Sequence, residues 1–199
     1  MTRLPVAQLV LDQTIQIIEE HGEVAVRLRD LVSETGVALA TIYKYFGNRE
    51  GLLDSAYAEM YYQSAIHPLA PFEEAMAKCA TADECATLIE YFLSLQSNPD
   101  AVQRRRIRMT VIGSAQARPE LAAKLADMNL QYAELFARIF QPARDKGWLK
   151  ADFDLRTVAI WFMGIVNTRA PMDFRTSDWD QEEMHRLYTS TILDSFIVR

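Results

Sequence analysis

Apolar positions recur every three or four residues along most of the chain, and no stretch alternates with period two between turn residues. That pattern predicts helices and no strands. Glycine and proline fall where helices begin or end rather than inside the periodic stretches. A first helix is predicted over about Val6 to His21, with Val10, Thr14 and Ile18 on one face beside Ile15 and Ile17, and with Gly22 as its stop. A short second helix, Leu28 to Thr35, turns at Gly36 into a third, Leu39 to Phe46. Asn48 is placed to cap a long fourth helix that His67 and Pro68 close.

Beyond Pro68 the predicted helices lengthen. Pro71 opens a short one, and Thr81 with Glu84 has the spacing of a capping box for the next, which runs to about Gln96. Pro99 begins a helix to about Ala117, and Pro119 begins a long one to about Lys146 that Gly147 ends. Asp154 is the predicted cap of a helix to about Arg169, and Ser177 the predicted cap of the last, ending near Ile197.

Composition narrows the class. Half of the 199 residues are hydrophobic, enough for a sizeable core, yet no uncharged apolar run reaches the roughly 18 residues of a membrane span. Met1 to Val10 lacks a secretory signature, so the expectation is a cytoplasmic protein with no membrane partner. Cys79 and Cys85 have no His at metal-ligand spacing, so no metal or other cofactor is expected; they read as small core or surface residues, with a thiol sensor as the alternative. His21, His67 and His185 are far apart, and there is neither a Gly-rich phosphate loop nor a pair of carboxylates in a predicted cleft, which argues against a helical enzyme. The net charge of -6 excludes a protein that coats nucleic acid indiscriminately, but not specific DNA binding.

The segment Leu28 to Phe46, LRDLVSETGVALATIYKYF, reads as two short helices about a turn containing glycine, the pattern of a helix-turn-helix. Leu28, Leu31, Val32, Val37, Ile42 and Phe46 are positioned to pack on the first helix, which leaves Thr41, Lys44 and Tyr45 facing outward. Hydroxyl groups and Lys reach phosphates and base edges in a major groove, and methyl groups touch thymine. Together, Gly22, RLRDLVSETGV and TIYKYFGNREGLL resemble the N-terminal head of TetR-family regulators over about the first 55 residues.

The resemblance implies an all-α protein with a three-helix DNA-binding head over residues 1–50, joined by a long connecting helix to a helical effector-binding and dimerisation body over 51–199. It implies that Thr41 and Tyr43 contact phosphate or thymine methyl, that Lys44 and Tyr45 touch backbone and base edges, that Arg49 clamps a phosphate, and that Arg29 contacts a base or the backbone. For Tyr43 the competing reading is packing against the first helix. The sequence departs from the family at Val26 and Arg27, where a capping hydroxyl is usual, and at Ala38 and Leu39. Arg27 is left to bind phosphate by charge, and Leu39 and Ala40 to give an apolar readout of thymines. Five cations (Arg3, Arg27, Arg29, Lys44, Arg49) face eight acids (Asp12, Glu19, Glu20, Glu23, Asp30, Glu34, Glu50, Asp54) in the first 55 residues, so affinity would need two heads at fixed spacing. The same acidity keeps open a second reading, a protein-binding module of this fold that no longer reads DNA.

In the body, VAIWFMGIV (Val158 to Val166) is apolar all round, and the last helix carries a stripe of Met184, Leu187, Tyr188, Thr191, Ile192 and Ser195. These predict a homodimer through a bundle of the last two helices of each subunit. An aromatic and Met-rich set, Tyr91, Phe92, Leu95, Met109, Ile112, Met128, Tyr132, Phe136, Trp161 and Phe162, reads as core or as a box for an apolar small-molecule effector, with Gln131 and Asn167 as its polar groups. Arg104, Arg105, Arg106 and Arg108 wrap much of one helix; they read as a solvated face, as partners of Glu19, Glu20 or Glu23, or as a seat for an anionic effector. The implied mechanism is an effector-driven shift between two dimer states, with the fourth helix as lever.

Overall fold

The computed structural model describes residues 5–150, 153–174 and 180–198. They are helical almost throughout; among them there is no strand, only one isolated antiparallel bridge between Leu149 and Ile197. No described helix is long and apolar enough to cross a membrane. The chain forms two compact units. One holds the chain up to Tyr61 together with Val111–Leu125, and the other holds Tyr62–Thr110 with the chain from Ala126 onward. The expected division after residue 50 therefore falls inside a helix, and it leaves out a second segment that joins the first unit.

The first unit contains α1 (Pro5–His21), a 3-10 turn (Glu23–Ala25), α2 (Leu28–Thr35), α3 (Leu39–Phe46) and α4 (Arg49–Tyr61). α1 buries Ala7, Val10, Leu11, Thr14 and Ile18, spaced three or four apart, and packs on α2, α3 and α4. Thr14 is tolerated there because its hydroxyl donates to the Val10 carbonyl at 2.7 Å. Leu31, Ile42, Leu52 and Leu53 complete the core, each side chain contributing roughly 1.5–3 kcal/mol by leaving water. Gly36 has φ +69°, the left-handed conformation that ends α2 and redirects the chain into α3. Neither Arg27 nor Ala38 makes a side-chain cap, whereas Asn48 Oδ1 accepts the Gly51 N–H at 2.8 Å.

α4 is shorter than its periodicity predicts. After Tyr61 the chain widens into a π-type turn (Tyr62–Ile66) and tightens into a 3-10 turn (His67–Leu69). Pro68 has no N–H to give the Ser64 carbonyl, so a regular helix cannot continue through this stretch.

The second unit continues with α5 (Ala70–Lys78), α6 (Ala82–Ser94) and a 3-10 turn (Leu95–Ser97). The Thr81 hydroxyl accepts the Glu84 N–H at 3.2 Å, and the Glu84 carboxylate accepts the Ala80 N–H at 2.7 Å, a capping box shifted by one residue. α7 (Pro99–Ala115) and α8 (Pro119–Asp145) run through both units, and α9 (Leu155–Asn167), capped by Asp154, is followed by a 3-10 turn (Ala170–Phe174) and α10 (Gln181–Phe196). Ser177 lies outside the described residues, and the cap of α10 is Asp180, which accepts the Glu183 N–H at 2.8 Å.

A Cβ added at Gly51 would lie 2.2 Å from the Phe46 carbonyl oxygen. Gly51→Ala should therefore destabilise the first unit by about 1–3 kcal/mol despite alanine's better helix propensity. Thermal denaturation followed by circular dichroism checks the sign.

Candidate DNA-binding face and effector cavity

α3 is eight residues long, and only Ile42 on it is fully buried. Leu39, Ala40, Tyr43, Lys44 and Tyr45 are exposed and Thr41 is half-buried. Tyr43 is 45% exposed, so its ring is not packed away against α1. Tyr45 meets Phe46 edge-on at 6.4 Å and keeps its outer side open. Arg27 and Arg29 are exposed as well. A polar, aromatic face thus stands on a short helix whose opposite side is anchored by Ile42 and Phe46.

Arg49 does not fit the role expected of it. Its Nε donates to the Val26 carbonyl at 2.9 Å, Nη2 to the Glu23 carbonyl at 2.6 Å and Nη1 to the Glu50 carboxylate at 2.8 Å. The guanidinium ties the 3-10 turn to the start of α4 by meeting the Val26 carbonyl and adding a second donor to the Glu23 carbonyl, which also accepts the Val26 N–H. Arg49 is a positioning residue of the head rather than a phosphate clamp.

The acidic balance of the head is answered by a residue far along the chain. Arg118, in the α7–α8 turn and within the same unit, donates to Glu50 at 2.6 Å, Glu23 at 3.1 Å and Asp54 at 3.2 Å, and its guanidinium lies 5.9 Å from the Tyr57 ring centre. Partial burial alone would raise the Glu50 pKa, but hydrogen bonds from Arg118 and Arg49 outweigh it and hold the carboxyl below its ordinary value. One cation thereby engages three of the eight acids counted in the head. The partner of Glu23 is Arg118, with the Tyr57 hydroxyl, and not the arginine cluster of α7.

That cluster is not a solvated face either. Arg105 is fully buried, and it grips Asp173 through Nε and Nη2, both at 2.7 Å, while Nη1 donates to the Gln96 carbonyl at 2.7 Å. Arg106 reaches the Asp173 carbonyl at 3.1 Å. Arg108, also buried, donates from Nε to Asn167 Oδ1 at 2.9 Å and from Nη1 to the Ser64 carbonyl, the one that Pro68 leaves without a helical donor. Asp173 carries no motif and is distant in sequence, so no local signal marked it.

Two of the cavities in the second unit share aromatic walls. The first is lined by Arg104 and Arg108 of α7, by Ser64 and Gln96, and by apolar groups including Leu95, Tyr132 and Met163. The second is lined by hydrophobic side chains alone, among them Phe136, Phe140, Trp161 and Phe196. Phe72, Phe92 and Phe162 border both. Phe72 and Phe92 meet at 4.1 Å between ring centres, and Phe92 and Phe162 at 5.7 Å. Of the expected effector set, Phe92, Leu95, Tyr132, Phe136, Trp161 and Phe162 line one or both cavities. Tyr91 and Gln131 are exposed, Met109 and Met128 line neither cavity, and Ile112 belongs to the first unit. Asn167 serves by orienting Arg108 instead of lining the space. Tyr91, expected opposite the long helix, and Gln131, expected as a polar group of the box, both face solvent on α6 and α8.

Residues 10–56 match the family model for bacterial regulatory proteins of the tetR family, a segment that lies wholly within the first unit. The chain carries a TetR-type head. It is 25% identical over 158 residues to the fatty acid metabolism regulator protein of Bacillus subtilis (strain 168), covering 79% of this chain and 78% of that relative. Its fold matches a TetR-family regulator structure from Mesorhizobium loti with TM-score 0.72 and 14% identity, over 97% of each chain. It also matches the transcriptional regulator FadR of Bacillus subtilis in complex with stearoyl-CoA, with TM-score 0.57 and 21% identity, over 94% of this chain and 95% of the other. The matched head is that of DNA-binding regulators, which are not enzymes.

On the expected dimer helices, Leu155, Ala159, Phe162 and Val166 bury one side of α9, while Ile160, Trp161 and Gly164 are exposed on another. On α10, Leu187, Thr191 and Ser195 are exposed, but Ile192 is buried and belongs to the subunit's own core. Cys79 and Cys85 are both buried. Burial pushes the Cys85 thiol up to about 11, with smaller influences from Cys79 and Lys146.

Removing one partner of a buried ion pair strands the other charge, so Asp173→Ala should lower stability by about 3–5 kcal/mol in urea denaturation. Arg105→Met combined with Asp173→Ala should recover much of that loss, because neither charge then remains buried. With so high a pKa, Cys85 should resist a disulfide reagent at pH 8 in the folded protein and react once urea unfolds it. Absorbance of the released thiolate reports the rate.

Proposed function

We propose that the protein is a ligand-responsive repressor in which two copies read a palindromic operator through α3, and an apolar small molecule held in the second unit releases them. The observation that carries this is the face of α3. Leu39, Ala40, Tyr43, Lys44 and Tyr45 are uncovered on a helix too short to stand alone, and its buried side is fixed to α1. Thr41, Tyr43, Lys44, Tyr45, Arg27 and Arg29 are assigned to DNA, with Leu39 and Ala40 against thymine methyl groups. Arg49 acts indirectly, through the turn it holds.

Two further observations support the assignment. The exposed Ile160, Trp161 and Leu187 give α9 and α10 an apolar surface suited to a second copy of the chain. The aromatic cavities give an effector somewhere to bind, and similarity to a fatty acid metabolism regulator supports an effector with an extended apolar part. The competing protein-binding role drew its weight from the acidity of the head, which the pairing of Arg118 with Glu23, Glu50 and Asp54 offsets.

Selection from random duplexes should return inverted repeats with thymines in each half-site, bound with a steep dependence on salt. Per head, Lys44→Ala should weaken binding about equally on all sequences and reduce the salt slope by about 1. Fluorescence anisotropy at several salt concentrations measures both. A protein that selects no repeat, or whose binding ignores salt, is not the repressor described.

A further inference from the structure

Arg104 and Arg108 stand one helical turn apart on α7 and line the same cavity. Like charges at this spacing disfavour a helix, and each guanidinium facing an apolar cavity costs desolvation. Arg108 has structural employment: it holds Asn167 and the Ser64 carbonyl. Arg104 has none, since it is half-buried and makes no hydrogen bond or ion pair among the described residues. No Asp or Glu lines the cavity. The polar lining groups, Ser64, Gln96, Arg104 and Arg108, belong to the first cavity alone, while the residues it shares with the second are the rings of Phe72, Phe92 and Phe162. The lining therefore grades from two cations to purely apolar walls.

Resting on the effector-binding function above, we infer that the effector is an anionic amphiphile: its negative head is seated on Arg104 and Arg108, and its apolar tail runs past the three shared phenylalanines into the second cavity. A carboxylate fits this seat because a planar guanidinium offers it two parallel N–H donors. A cationic head would meet two positive charges in a poorly hydrated space, and a neutral alcohol would leave Arg104 without a counter-charge. The same head chemistry can come from a free fatty acid or from a carrier thioester whose phosphates supply the charge.

Isothermal titration of the full chain, at concentrations below micelle formation, would compare decanoate, decanoyl-CoA, decanol and decyltrimethylammonium. Decanoate or decanoyl-CoA should bind at least about tenfold more tightly than the alcohol and the cation, and whichever of the two anions prevails identifies the source of the charge. Arg104→Gln should remove that preference, and Arg104→Lys should restore part of it; both substitutions leave the buried Arg105–Asp173 pair intact, so both proteins should fold. Equal binding of the alcohol or the cation, binding of none of the four, or an anion preference that survives Arg104→Gln overturns the inference. Operator binding, followed in the same samples, separates the two claims. An Arg104-dependent anion that leaves the operator occupied upholds the seat and refutes effector release, whereas release of the operator by the alcohol or the cation as readily as by the anions upholds release and refutes the seat.

Discussion

A guanidinium taken out of water must find oxygens for its donors, and α7 places arginines where water is scarce. Arg105 is met by the Asp173 carboxylate and the Gln96 carbonyl, and Arg108 by Asn167 and the Ser64 carbonyl. Apart from Asn167, the last residue of α9, these partners come from turns. Ser64 sits in the π-type turn, Gln96 in the 3-10 turn after α6, and Asp173 in the 3-10 turn after α9. One charged helix therefore fixes the irregular segments of the second unit, and those segments position the walls of its cavities. The arrangement is costly in desolvation, and a hydrophobic α7 would serve packing as well. What the charges add is a positive wall.

The first unit applies the same chemistry to a different end. Arg49 satisfies the carbonyls of the turn after α1, and Arg118 gathers Glu23, Glu50 and Asp54. Both are used internally, and both hold rigid the scaffold behind α3. The exposed side chains of α3 remain uncommitted, so that face is the part of the head that internal bonding does not consume. Lost caps at Arg27 and Ala38 are compatible with this, because tertiary contacts rather than capping hydroxyls hold α2 and α3.

The aromatic residues divide the labour in the second unit. Phe72, Phe92, Phe136 and Phe162 pack ring against ring and still leave space, as flat rigid groups do when they cannot interdigitate like aliphatic chains. A space bounded by such rings at one side and by cations at the other is polarised before any ligand arrives.

The sequence alone determined what depends on neighbours along the chain. Helical periodicity, the glycine stop at Gly22, the turn at Gly36 and the caps at Asn48, Thr81 and Asp154 are local, and the motif around Thr41 to Tyr45 marked the DNA-binding head. Periodicity also placed Phe92, Tyr132, Phe136 and Phe162 on inward faces, but it could not separate a wall residue from an outlier such as Tyr91 or Gln131, whose exposure depends on how far each neighbouring helix extends. Only the tertiary structure decided the partners of the charges. Arg105 and Asp173 are 68 positions apart, as are Arg118 and Glu50, and no pattern links residues at such separation. A charge run reads as solvated from its own helix; whether it is buried is settled by what folds over it.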